Sequence, residues 1–188
     1  MGSRLTRSND IVLSCAEFRP SDNMDDRPAE CEIDLLVIHS ISLPPGEFGG
    51  EWIDDLFHNR LDPGAHPYFE EIKSLKVSCH ILIRREGEII QYVPFNRRAW
   101  HAGDSSYCGR ACCNDFSIGI EVEGCDDQPF TDLQYSALGR VTKEIMALYP
   151  RINRERITSH ASIAPQRKTD PGPMFDWERY RSLLPEAD

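Results

Sequence analysis

Four consecutive apolar residues, Leu35-Leu36-Val37-Ile38, run straight into His39. A short unbroken apolar run fits a strand buried on both faces. A strand covered twice requires a sheet with helices packed on it, so the fold class reads as α/β: one central mixed sheet flanked by helices. Phe116 to Glu123 supplies a second strand by alternation. Phe116, Ile118, Ile120 and Val122 are expected on one face, and Ser117, Gly119, Glu121 and Glu123 on the other. Cys79 to Arg84 and Glu88 to Val93 read as a hairpin joined by Arg85-Glu86-Gly87. Thr131 and Gln134 form a capping box for the clearest helix, with Leu138, Val141, Ile145 and Leu148 at helical spacing until Pro150. Ile157-Thr158 is a short strand leading into His160, and Asp176 caps a final helix through Leu184. Residues 40–66 read as a long loop region rich in Pro and Gly, with short helices at Trp52 to Phe57 and His66 to Leu75.

A chain of 188 residues is one domain's worth. Residues 1–30, with Pro20, Pro28 and the acidic stretch Asp22 to Asp26, read as a surface-lying N-terminal arm with little regular structure; residues 31–188 form the domain. Lys+Arg 21 against Asp+Glu 31 gives a net charge of −10 with no basic run, which argues against nucleic acid as a partner. No apolar run approaches ~18 residues, so no membrane span is expected. Seven cysteines, an odd number that includes the vicinal pair Cys112-Cys113, fit a reducing compartment and hence the cytoplasm. Arg4 and Arg7 before Ile11-Val12-Leu13-Ser14-Cys15 faintly resemble a lipoprotein signal. Such a signal needs ~7–15 apolar residues, and only three stand here, directly after Asp10.

Two histidines stand where side chains converge on ligands. His39 ends the most apolar strand, and His160 follows another. Asp170 lies ten positions beyond His160 in a segment kept out of helix by Pro165, Pro171 and Pro173. Two imidazoles and a carboxylate suit a catalytic zinc with one open position. Spacing alone leaves this open: there is no H-E-x-x-H, and Cys108, Cys112 and Cys113 form no C-x-x-C pair. Glu121 sits amid an apolar strand, where a carboxylate needs a partner or a task unless its face is solvated. Lys168, two positions before Asp170, projects beside it in an extended segment; beside a metal ligand its ammonium would stabilise charge on a reacting oxygen, and elsewhere it would read as a surface lysine. His58 and His66, in polar loop sequence, read as exposed or structural. Cys79 abuts His80, but neighbours on a strand face opposite sides, so they form no nucleophilic dyad.

Four segments in order, Leu36 to Gly50, Arg98 to Gly103, Asn114 to Glu121 and Ala164 to Pro173, resemble the cytoplasmic bacterial 1,6-anhydro-N-acetylmuramyl-L-alanine amidases. More broadly they resemble the zinc amidase superfamily that includes phage lysozyme-type amidases and peptidoglycan recognition proteins. The resemblance spans about residues 31–182. It implies Zn2+ held by His39, His160 and Asp170, with Glu121 as the catalytic carboxylate and Lys168 near the metal. It implies hydrolysis of the amide between 1,6-anhydro-N-acetylmuramic acid and the L-alanine of a stem peptide, in cell-wall recycling and, in some bacteria, restraint of β-lactamase induction. The implied partners are small soluble anhydromuropeptides, with no membrane and no obligate protein partner. Trp100, His101 and Ala102 fall in a motif that resembles the wall of the substrate groove, and Asn114 opens the next; Trp100 reads equally as a sugar platform or as core. His80 reads as a satisfied buried histidine rather than a ligand. Ser40 stands where relatives usually have asparagine, Cys112 where a basic residue is expected, and Lys76 where arginine is common; Arg110 or Lys76 would replace the missing charge. Two rival functions are a non-catalytic peptidoglycan-fragment binder and a periplasmic amidase of polymeric peptidoglycan. The three filled ligand positions oppose the first; the missing signal and the cysteine load oppose the second.

Overall fold

The computed structural model describes residues 9–186, so Arg4, Arg7 and the start of the arm lie outside the described residues. In chain order the elements are β1 (Glu17–Phe18), β2 (Met24–Asp26), β3 (Leu35–Ile41), α1 (Trp52–Phe57), α2 (Pro67–Ile72), β4 (Ile81–Ile83), β5 (Ile89–Gln91), β6 (Arg97–Ala99), β7 (Ser106–Tyr107), β8 (Arg110–Ala111), β9 (Ser117–Glu123), α3 (Asp132–Leu148), β10 (Ile157–Ser159), α4 (His160–Ile163) and α5 (Trp177–Ser182). Six strands form one mixed sheet in the order β1-β5-β4-β9-β3-β10, with β4 and β5 antiparallel and the other neighbours parallel. Two small ribbons, β2–β6 and β7–β8, lie outside it. Among the described residues, no helix is long and apolar enough to cross a membrane.

The apolar run of β3 explains the layering. Leu35, Leu36, Val37 and Ile38 are each fully buried. Leu36 and Ile38 join Ile118, Ile120 and Val122 of β9 under α3 and α5, where Leu138, Val141, Ile145 and Tyr180 close the core. Leu35 and Val37 face the other way, against Ala102, Cys113, Phe116 and Ile163. Burying each such side chain contributes about 1.5–3 kcal/mol, so β3 alone anchors both layers. Thr131 and Gln134 close the expected capping box on α3. Asp176 caps α5 by accepting from the Arg179 N–H.

Two expectations need correction. Phe116 packs on the face opposite Ile118, because a helical turn at Cys113–Asp115 ends on it with φ −122 and ψ 8, and the extended alternation starts one residue later. The arm is also more ordered than its composition suggests. β1 pairs in parallel with β5 at the sheet edge, and β2 pairs antiparallel with β6. Gln91 accepts from the Leu13 N–H and donates to the Ile11 carbonyl, and Arg27 donates to the carbonyls of Phe95, Asn114, Asp115 and Ser117. Backbone pairing and side chain-to-carbonyl bonds dock this segment, and neither leaves an apolar period to read.

Candidate active site

The parallel strands β3, β9 and β10 end at one edge, and their carboxyl ends carry the chemistry. His39 of β3 sits in register with Glu121 of β9. β10 delivers His160 as the first residue of α4, whose N-cap Ser159 accepts from the Ser162 N–H. The chain then returns, and the Ala161 N–H donates to the Asp170 carbonyl over 3.0 Å, which fixes Asp170 beside His160.

Three donor atoms converge. His39 Nδ1 and His160 Nδ1 are 2.9 Å apart. Asp170 Oδ2 lies 3.2 Å from the first and 3.0 Å from the second. All three lie within 4.8 Å of one another. Both imidazoles are buried, at 1% and 3% exposure. Burial holds His39 down to about 4, so its ring is neutral at physiological pH. Burial alone would raise Asp170, but hydrogen bonds from His160 and His39 outweigh it and keep the carboxyl well below the usual range. A neutral imidazole and an ionised carboxylate are the forms a cation requires.

Glu121 completes the group. Its Oε1 is 4.0 Å from His39 Nδ1, and its Oε2 is buried with no hydrogen-bond partner among the described residues. Burial first, and the nearby Asp170 charge second, push this carboxyl well above the ordinary value. An unspent buried oxygen beside two nitrogen donors and a carboxylate is the surrounding expected for a hydrolytic metal, and the donor set fits zinc.

His160, Asp170 and Glu121 line a cavity of about 510 Å³, while His39, at 1% exposure, is buried beside them. Its lining is apolar at Leu43, Leu56, Phe57, Tyr68 and Ile72 and polar or charged at Asp126, Arg167, Lys168 and Thr169. Of the sequence candidates, Ser40, His101, Glu121, His160, Lys168 and Asp170 line this space, whereas His39, Trp100, Ala102, Asn114, Lys76 and Arg110 do not. Ala102 is fully buried, and its carbonyl accepts from His160 Nε2 at 3.2 Å and Arg167 Nη2 at 2.7 Å. Asn114 Oδ1 accepts the N–H groups of His101 at 3.1 Å and Ala102 at 2.8 Å. Ala102 thus backs His160 through its carbonyl, and Asn114 fixes the His101–Ala102 backbone. His101 reaches the cavity but also backs His39, with Nδ1 2.9 Å from His39 Nε2.

Trp100 is partly buried, and its side chain hydrogen-bonds Asp25. Arg110 pairs with Asp34 at 2.9 Å and lies over the Phe116 ring. Lys76 lines a smaller recess of about 140 Å³ behind Leu56, Ile72 and Leu75. Lys168 follows a turn in which its own N–H donates to the Ala164 carbonyl, not the extended run expected. His80 is the satisfied histidine anticipated: Nδ1 accepts from the Gly119 N–H, and Nε2 faces the Arg97 carbonyl. The Cys79 thiol is buried, donates to the Ile81 carbonyl and is pushed up by burial, so it offers no nucleophile.

Comparison with known proteins accords with this geometry. The N-acetylmuramoyl-L-alanine amidase family profile matches residues 29–173. The 1,6-anhydro-N-acetylmuramyl-L-alanine amidase AmpD of Citrobacter freundii is 60% identical over 172 residues, which cover 92% of this chain and 91% of that one. A crystal structure of a selenomethionine derivative of AmpD superposes with a TM-score of 0.90 at 58% identity, covering 93% of this chain and 97% of that one. The Escherichia coli amidase AmiD, solved in complex with the substrate anhydro-N-acetylmuramic acid-L-Ala-D-γ-Glu-L-Lys, matches at a TM-score of 0.61 and 30% identity over 86% of this chain and 65% of that one. With His39, His160 and Asp170 converging beside a cavity that Glu121 also lines, the chain belongs to the N-acetylmuramoyl-L-alanine amidase family, in its AmpD branch.

Proposed function

We propose that this protein hydrolyses the amide joining 1,6-anhydro-N-acetylmuramic acid to the L-alanine of small soluble anhydromuropeptides, in the cytoplasm, as part of cell-wall recycling. The carrying observation is Glu121, a buried carboxyl with an unspent oxygen beside the three-donor group. His39, His160 and Asp170 would hold Zn2+, which when bound lowers the pKa of a water and polarises an amide carbonyl. Glu121 takes a proton from the attacking water and returns one to the leaving amine; its raised pKa suits both tasks. Lys168, on the cavity wall, stabilises the negative charge that develops on the carbonyl oxygen. Arg167, which lines the same cavity, would meet anionic groups of a stem peptide, and Ser40 would add a polar contact. Trp100, Lys76 and Arg110 do not line this cavity and have no part in this reading. Seven free cysteines support a reducing compartment.

The test is product analysis on two substrates in parallel. With an anhydromuropeptide, free stem peptide beginning with L-alanine should accumulate. Faster cleavage of intact peptidoglycan than of the soluble fragment would move the activity to the polymer. Binding without cleavage would leave only a recognition module.

A further inference from the structure

The groups assigned to the chemistry come from separate stretches of chain. Glu121 stands on β9, whereas Lys168 and Asp170 stand on the loop that follows α4. That loop is tied to its own end of the molecule. The Lys168 N–H donates to the Ala164 carbonyl, and the Ala161 N–H donates to the Asp170 carbonyl. Arg167 Nη2 donates to the carbonyls of Ala102 and Asp104 at 2.7 and 2.8 Å. None of these bonds reaches the segment that carries Glu121.

Asp126 makes that link. It lies in the turn after β9, which the Cys125–Gln128 bridge closes and the Gly124 N–H fastens to the Ile41 carbonyl of β3 at 2.9 Å. Asp126 Oδ2 accepts from the Thr169 hydroxyl at 3.0 Å, and Thr169 is the residue between Lys168 and Asp170. The other carboxylate oxygen is seated against Gly172, whose N–H closes a turn onto the Thr169 carbonyl at 3.0 Å. A Cβ on Gly172 would lie 2.2 Å from Asp126 Oδ1, and its φ of +84 is one that L side chains rarely adopt. Glycine there serves both the turn and the approach of the carboxylate. One side chain thus grips the loop just before Asp170 and just after Pro171. Asp126, Thr169, Lys168, Asp170 and Glu121 all line the same cavity.

We propose that Asp126 is a positioning residue for the reaction: through Thr169 and Gly172 it clamps the Lys168–Asp170 turn to the strand that carries Glu121. The proposal rests on the functional reading above, which assigns roles to those three residues. Misplacing a reacting group by about 1 Å can cost on the order of 10²-fold in rate. Losing one exposed hydrogen bond permits a smaller shift, so an effect of ~3–10-fold is expected.

The experiment is a double-mutant cycle of Asp126→Ala and Thr169→Val. It is read by stem-peptide release from an anhydromuropeptide, by zinc affinity in competition with a chromophoric chelator, and by urea midpoint. Each single variant should lower kcat ~3–10-fold with KM little changed, and should weaken zinc by a similar factor. Urea midpoints should stay near wild type, because both side chains are exposed. The double variant should be no worse than either single one, since both remove the same bond. Asp126→Asn keeps an accepting oxygen and should recover most of the loss. Effects that multiply in the double variant would overturn the clamp, as would wild-type kcat or wild-type zinc affinity in Asp126→Ala. A rise in KM at constant kcat would make Asp126 a substrate contact instead. Asp126→Asn as poor as Asp126→Ala would show that charge acts and not the bond, which also overturns the proposal. A wild type that releases no stem peptide would sink the functional reading by itself, and the zinc affinities of the cycle would still test the clamp.

Discussion

Glu121 and Glu123 sit two residues apart on the same face of one strand, in opposite surroundings. Glu123 is saturated. It accepts from Arg84 Nη1 at 3.3 Å, from the Gly49 N–H at 2.7 Å and from the Arg85 N–H at 3.1 Å, and Arg84 in turn bonds Asp54 at 2.8 Å. Asp54 also accepts from Arg19 and the Tyr92 hydroxyl, so this end of the sheet is a closed network tying loop, helix α1 and strand together. Glu121 has one oxygen 4.0 Å from the His39 imidazole and the other with no hydrogen-bond partner among the described residues. A buried carboxylate whose lone pairs are all engaged fixes structure, and one left partly unsatisfied stores the cost for use in a reaction.

Breaking each carboxylate separately should expose that division. Glu121→Gln should lower kcat about 10²–10⁴-fold while zinc content and the urea midpoint stay near wild type, as steady-state kinetics and metal analysis would show. Glu123→Ala should do the reverse. It leaves Arg84 with half its partners and should cost about 3–5 kcal/mol in urea unfolding, with activity per folded molecule little changed. A fall in kcat from Glu123→Ala to match that of Glu121→Gln would erase the distinction.

Smaller effects refine the contrast. Lys168→Ala should reduce kcat about 10²-fold by removing a cation near the reacting oxygen, without altering zinc stoichiometry. Acid should weaken the metal-free protein through its buried rings. Burial depresses His39, His80 and His101, so between the ordinary histidine value and the lowered one the unfolded chain binds more protons. Stability from these groups is present above pH ~6.5 and is lost as pH falls toward about 4 for His39. Asp170, held low, works in the same direction at still lower pH; Glu121, held high, opposes it. Urea midpoints measured from pH 7.5 to 5 should therefore decline. Thr131→Ala, far from the cavity, should cost only about 1 kcal/mol by opening the α3 cap, with kinetics unchanged.

Much of the frame was legible in the sequence. β3 announced itself because a strand covered on both faces needs an unbroken apolar run, and α3 because its cap and its stripe coincide. The metal group was only suggested by residue type at strand ends, and the resemblance made it specific. What stayed hidden shares a physical cause. The arm docks through backbone pairing and through Gln91 and Arg27, which bond backbone groups that nearly every residue has. Ala102 acts through its carbonyl and Asn114 through two backbone N–H groups. Such contacts depend on direction, and one-dimensional spacing carries none. Gly119, mid-strand, was the single visible trace of the His101 ring packed against it.

The most direct measurement is a zinc titration of chelator-stripped protein, followed by stem-peptide release from an anhydromuropeptide. Activity should be absent without metal and rise linearly to a plateau at one zinc per chain. Full turnover by the stripped protein would contradict the account.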